Sequence, residues 1–531
     1  MSILQRSMLL KELIVSLCLG TAAIASVVKL PKKYVQMGFD KSCTSATGDM
    51  VFAKRDGDYV LVDLINEKIL YTVQLAVGTP PQNITVSINI GSADPWMTSP
   101  DNPYCEIKKH SGYEKQVGAN TSVSLLSSLS NDRVTMSGTV TTGTSSSMVQ
   151  PIIDCTNYGT FNHSSSSSFK NNGTNFTMFY ADKTGASRFW GTDVVRVELL
   201  EILDMSFGVA NVFNATEGVF GIGFPSLETT NMFNARIDPY SSYEYANFPQ
   251  ALNNQGSVDK VAYSLFLNDS HAMKGSVLFG AVDHSKYRND LFTVPLVNDF
   301  RDKGMDHPHY FNVFNARRGC PNKRRPQNRR HDEFIVVLDS GATVSSLPTK
   351  LVDQLVQSLN ATFDEELNSY TLKCPSKKDT SVASFDIGRF HIDGPLSNFV
   401  RKYEKNKCIL RLDPADNQPY ILCDNFLSRA YVVHDLESYE ISMGQANTEY
   451  APEQIEAIKS KVPGTVRAPS YDKTWGNGTD VSPSGNIYTV STNGTSTTTQ
   501  SSNARENLGA VNAVFTSVAT AILTLIASLL P

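Results

Sequence analysis

The 531-residue chain lacks the short signatures of several common hydrolytic and phosphoryl-transfer chemistries. It has no His-Glu-x-x-His, so no helix presents a zinc-binding pair beside a general base. It has no Gly-x-Ser-x-Gly, so no serine sits on a nucleophile elbow. It has no Walker loop to cradle a nucleotide phosphate. Its eight cysteines are not spaced as paired zinc knuckles. No metal and no cofactor are expected. Excess charge is scarce too: 47 Lys and Arg against 52 Asp and Glu leave a net charge of −5, which argues against a nucleic-acid partner. Length is what the chain has, enough for more than one domain and a sizeable core.

The informative stretch is Phe334-Ile335-Val336-Val337-Leu338-Asp339-Ser340-Gly341-Ala342-Thr343. Five apolar residues read as a fully buried strand. The strand ends on a carboxylate, then on small residues that permit a tight turn. A buried strand does not normally place Asp at its tip unless the charge is used or paired. The plain alternative is an Asp capping its own turn. The same device occurs earlier, where Ile84-Thr85-Val86-Ser87-Ile88 runs into Asn89-Ile90-Gly91-Ser92. Each copy is followed at a distance by two apolar residues and a small one, Val219-Phe220-Gly221 and Ile421-Leu422-Cys423. The separations are 132 residues from Asn89 to Gly221 and 84 from Asp339 to Cys423. The 49 residues between Cys105 and Cys155 match that difference to within one residue. An internal duplication is predicted.

These segments resemble the pepsin-like aspartic proteases, and among them the yapsins, lipid-anchored surface proteases of fungi. The resemblance covers roughly residues 30–470. It rests on Val77-Gly78-Thr79-Pro80-Pro81-Gln82, Trp190-Gly191-Thr192-Asp193-Val194-Val195 and Gly218-Val219-Phe220-Gly221-Ile222-Gly223. Further on it rests on Ala262-Tyr263-Ser264-Leu265, Leu278-Phe279-Gly280-Ala281-Val282-Asp283 and Ala430-Tyr431-Val432-Val433. It implies an all-β, bilobal fold with two related β lobes, a central cleft and one catalytic Asp from each lobe. Asp339 takes one of those positions, flanked by Ser340, Gly341 and Thr343. Asn89 takes the other, flanked by Gly91 and Ser92. Tyr180 falls at the position of the tyrosine on the hairpin flap that closes over substrate. Asp182, two residues on, is expected to pair with a basic side chain of a peptide or protein substrate, or else to be a solvated turn residue. Ala181 and Lys183 stand where the family pattern has glycines, which should stiffen or reshape the flap tip. Cys374 and Cys408 fall where the family has its second disulfide.

Taken in order, residues 1–25 read as a secretory signal, with Arg6 and Lys11 before an apolar run and Ala23-Ile24-Ala25 as a small-x-small cut site. Residues 26–55 read as a propeptide ending in Lys54-Arg55, and in the family such a segment occupies the cleft until removed. The first lobe is expected at 56–247. It carries a plausible Cys105–Cys155 disulfide across a Ser/Thr-rich insert. The second lobe is expected at 248–450. Its basic run from Arg317 to Arg330 reads as a solvated loop or a further processing site. Cys320 and Cys423 have no assigned partners. Residues 451–503 read as a Ser/Thr-rich stalk. Residues 504–531 read as a removable GPI signal, with attachment at Ser502 or Asn503. Ten Asn-x-Ser/Thr sequons fit a glycosylated protein anchored at the plasma membrane or cell wall.

The mechanism turns on Asn89. The family's peptide hydrolysis needs two carboxylates sharing one proton. The ionised one takes a proton from the attacking water, and the protonated one donates to the carbonyl oxygen. An amide can hold a water but cannot pass a proton on. Two further departures accompany it. Ile90 lacks the hydroxyl that Ser340 keeps, and Cys423 replaces a glycine, where a thiol should crowd Asp339 unless the backbone yields. Spontaneous deamidation of Asn89 is not expected to restore the pair, since it favours a following glycine and Ile90 follows instead. Two readings result: a surface aspartic endopeptidase acting at basic residues on secreted or wall proteins, or a catalytically impaired relative that binds peptides or serves structurally in the wall.

Overall fold

The computed structural model describes residues 33–45, 67–102, 105, 155, 157–180, 184–232, 243–298, 308–315 and 334–471, with brief gaps, and short strand segments at 52–53, 59–60, 488–492 and 495–496. The described chain is dominated by strands. Alternation explains the first of them that matters: in Gln82–Asn89 the side chains of Ile84, Val86 and Ile88 are buried while those between them face outward. Phe334–Leu338 alternates too, with Phe334, Val336 and Leu338 buried and Ile335 and Val337 only partly so. This corrects the fully buried reading. The apolar run is continuous in sequence, but only one face of the strand lies wholly in the core.

The duplication appears as matched topology. In the first half Gln82–Asn89 pairs in parallel with Gly218–Gly221, which meets Trp96–Thr98 antiparallel at Val219, and Trp96–Thr98 pairs in parallel with Leu200–Phe213. In the second half Phe334–Leu338 pairs in parallel with Tyr420–Leu422, which meets Ser345–Pro348 antiparallel at Ile421. Ser345–Pro348 in turn pairs in parallel with Leu412–Ala415. Four strands thus recur in one order and with one pattern of directions.

The first set belongs to a fifteen-stranded sheet that continues through Val35–Ser45 into Lys274–Phe279, Ala262–Phe266, Ala430–Asp435 and Glu440–Ala446. The second set lies in a separate nine-stranded sheet. A large hydrophobic core runs beneath both, from Leu75 and Val86 to Phe220, Phe279, Leu338 and Met443.

Val35–Ser45, which lies inside the expected propeptide, is an interior strand between Lys274–Phe279 and Glu67–Val77. Residues 451–471, read as the start of the stalk, are folded against the body. Ile455–Ala457 pairs with Ala281–Asp283, Thr465–Arg467 pairs with Tyr287–Pro295, and Ile458 is fully buried. Isolated apolar residues in a polar stretch found a core here that composition alone did not reveal. The 106–154 insert, the 317–330 run and the residues beyond 496 lie outside the described residues.

Candidate active site

Each matched strand carries its last residue into a tight turn. Asn89 is held in place by the Ile222 N–H, which donates to its carbonyl at 2.9 Å, and the Asp339 N–H donates to the Leu422 carbonyl at 3.1 Å. The two side chains then make the same bond. The Gly91 N–H donates to Asn89 Oδ1 at 2.6 Å, and the Gly341 N–H donates to Asp339 Oδ1 at 2.8 Å. The glycines are demanded by the facing loop. A Cβ on Gly91 would lie 2.6 Å from Asp339 Oδ1, and one on Gly341 would lie 2.9 Å from Asn89 Nδ2. Each side chain therefore rests on the other half's glycine, and both are half-buried. One bond crosses directly: the Ile90 N–H donates to Ser340 Oγ at 3.2 Å.

Around this pair the remaining residues fall as follows. Tyr180 sits at the end of Thr177–Phe179, and its hydroxyl accepts from Trp96 Nε1 at 2.8 Å. Trp96 is fully buried against Phe176 and Phe213, so Tyr180 leans on a buried aromatic cluster. Ser92 gives its carbonyl to the Gly223 N–H at 2.8 Å, and its hydroxyl is buried without a hydrogen-bond partner. The Thr343 carbonyl accepts two bonds from Arg411, at 3.0 Å from Nε and 2.6 Å from a terminal nitrogen. Asp182, Ala181, Lys183, Ser502 and Asn503 lie outside the described residues. The disulfides Cys105–Cys155 and Cys374–Cys408 are formed.

Cys423 stands where Gly221 stands in the first half. Its sulfur lies 3.3 Å from Ser345 Oγ and 3.2 Å from Asn425 Oδ1, and its backbone is extended, with φ −101° and ψ −160°. Burial pushes the thiol well up from its ordinary range.

The sequence reading missed Arg411, which holds the Asp339 turn from below. Its guanidinium also pairs with Asp424, whose other oxygen accepts from the Tyr71 hydroxyl at 3.3 Å. A lone cation inside Cys408-Ile409-Leu410-Arg411-Leu412 was the available signal. On the first-half side the loop after Asn89 is pinned by Asp94. Its carboxylate accepts from the Tyr245 hydroxyl at 2.6 Å and from the Thr229 N–H at 2.9 Å. Glu228 is buried beside it and accepts from the Tyr245 N–H at 3.1 Å. Burial raises the Asp94 carboxyl to about 6 and that of Glu228 to about 9.

Two matched strands that bring Asn89 and Asp339 against each other's glycines are the arrangement expected of the aspartic protease class. The chain matches the eukaryotic aspartyl protease family over residues 70–446, and it belongs to that family. It is 39% identical to aspartic proteinase MKC7 of Saccharomyces cerevisiae, covering 89% of this chain and 83% of the relative. It is 39% identical to aspartic proteinase yapsin-3 of the same yeast, covering 88% and 83%. Barrierpepsin, also from that yeast, is 34% identical over 75% of this chain and 64% of its own length. Among the described residues no helix is long and apolar enough to cross a membrane.

Proposed function

We propose that this chain is a cell-surface aspartic endopeptidase that cuts secreted or wall proteins at basic residues and so serves cell-wall maintenance. The observation that carries this reading is the mutual seating of Asn89 and Asp339 on each other's glycines, which a family member needs for its shared proton. Asp339 is the base that takes a proton from water. The acid that donates to the substrate carbonyl belongs at position 89, a role an aspartate fills and the amide of Asn89 does not. Tyr180 closes the cleft, and Asp182 meets the basic side chain. Delivery rests on the 1–25 signal, removal of 26–55 at Lys54-Arg55, and a GPI lipid at Ser502 or Asn503. The names of the similar proteinases support the activity. The amide at Asn89 favours a second reading, in which the cleft binds peptides without turning them over.

One experiment separates the two. Protein released from the surface by a phospholipase that cuts GPI anchors is assayed at acidic pH on peptides carrying Lys, Arg or Leu before the scissile bond. The Asn89→Asp form is expected to cleave the Lys and Arg peptides, faster than freshly made protein by about 10²–10⁴. Adding Asp339→Ala should abolish this. Failure of release would remove the anchor, equal cleavage of all three peptides would remove the preference, and a folded but inert Asn89→Asp form would leave only the binding reading.

A further inference from the structure

The seating of Asn89 does more than mark a missing carboxylate. Its side-chain carbonyl is held by the Gly91 N–H at 2.6 Å, a donor aimed where negative charge would develop if the amide carbon were attacked. The whole amide faces the second-half turn, where a Cβ on Gly341 would lie 2.9 Å from Nδ2 and 3.0 Å from both Cγ and Oδ1. Asp339 faces the first-half turn in the same way, with Oδ1 held by the Gly341 N–H at 2.8 Å. A carboxylate able to activate water therefore stands opposite an amide with a polarised carbonyl, both fixed on rigid strands. We propose that Asn89 is a self-modification site, at which the cleft hydrolyses the Asn89 side-chain amide to aspartate and thereby completes its own pair of carboxylates. This rests on the endopeptidase reading above.

The step balances with water alone. The water oxygen bonds to Asn89 Cγ while one of its protons passes to Asp339. The electron pair of the carbonyl moves onto Oδ1, stabilised by the Gly91 N–H. On collapse the Cγ–Nδ2 bond breaks, Asp339 returns the proton to the departing nitrogen, and ammonia leaves. The side chain gains a hydroxyl and loses an amine. Asp339 ends as it began.

The competing route is closed by the same geometry. Cyclisation needs the Ile90 backbone nitrogen to attack Asn89 Cγ. That N–H instead donates across the cleft to Ser340 Oγ at 3.2 Å, the Ile90 side chain is fully buried, and the Asn89 carbonyl is tied to Ile222. A cyclic imide opens to a mixture of aspartate and isoaspartate, whereas direct hydrolysis gives aspartate alone. The product therefore reports the mechanism without any enzyme assay.

The test uses the full secreted chain, purified quickly and incubated at acidic pH in heavy-oxygen water. Peptide mass spectrometry follows position 89, with the buried amide Asn102 of the same lobe as internal control. The expected result is time-dependent conversion of Asn89 to aspartate carrying one heavy oxygen, no isoaspartate, and an unchanged Asn102. The near-isosteric Asp339→Asn form, with its thermal midpoint checked against the parent, should convert slower by about 10²-fold or more. Persistence of the amide at position 89 would overturn the proposal. So would isoaspartate among the products, or an undiminished rate in folded Asp339→Asn. These outcomes are independent of peptide cleavage: an Asn89→Asp form that cleaves beside a parent that never converts would sink this inference and leave the endopeptidase reading standing.

Discussion

Arg411 gives the Asp339 turn its support from beneath. Its guanidinium is 11% exposed and its partner Asp424 3%, so the pair lies almost wholly out of water. Truncating one member of such a pair leaves the other charged and buried. Arg411→Met is therefore expected to destabilise the protein by about 3–5 kcal/mol, measured by denaturant unfolding. Adding Asp424→Asn should recover part of the loss, because no lone charge remains. A loss within the range of an exposed pair, under about 1 kcal/mol, would show that Arg411 does not carry the turn. This role was hard to read from sequence for a concrete reason. The two acceptors, Thr343 and Asp424, stand 68 and 13 residues away, and only the fold brings them together. Asn89 and Asp339 were legible because each follows an apolar-rich strand and precedes small turn residues, a local pattern that occurs twice. The contact of the Cys423 thiol with Ser345 was not, since only the fold brings those two residues together.

Among the elements, the loop that follows Gln82–Asn89 is the one most exposed to pH. Asp94 and Glu228 anchor it through Tyr245, and burial holds their carboxyls at about 6 and about 9 against ordinary values of 3.8 and 4.5. Between the ordinary and the raised value the folded chain binds more protons than the unfolded one. Stability from these groups is thus fully present below about pH 4 and drains away as pH rises towards 9. Glu228→Gln keeps the shape of the neutral form. It should flatten the fall in thermal midpoint over the upper part of that range, leaving the smaller Asp94 contribution between 3.8 and 6. Identical pH profiles for the parent and Glu228→Gln would refute the assignment. An anchor most stable in acid thus stands beside position 89. Nothing in Ala93-Asp94-Pro95 announces it, because the burial comes from Tyr245, far along the chain. The strands around it were legible through their alternation and through the repeated turn, whereas the register that interleaves the two halves was not.

At the scale of the whole molecule, Val35–Ser45 and parts of residues 451–471 pair with strands of the folded body. Composition did not reveal this for either segment, because pairing register is a long-range property. The first of them has a further consequence. Val35–Ser45 makes six register pairs with Lys274–Phe279 and six with Glu67–Val77, and in the sheet it is the link between those two strands. If the backbone is cut after Arg55, as proposed above, that strand is no longer part of the chain it joins but a ligand of it. The joint between the halves then obeys mass action, and its strength depends on how much free strand remains in solution. Cut protein should lose thermal midpoint on dilution and regain it when a synthetic 26–55 peptide is supplied, while the uncut chain responds to neither. A cut protein indifferent to both would mean that the halves do not depend on this strand to stay together.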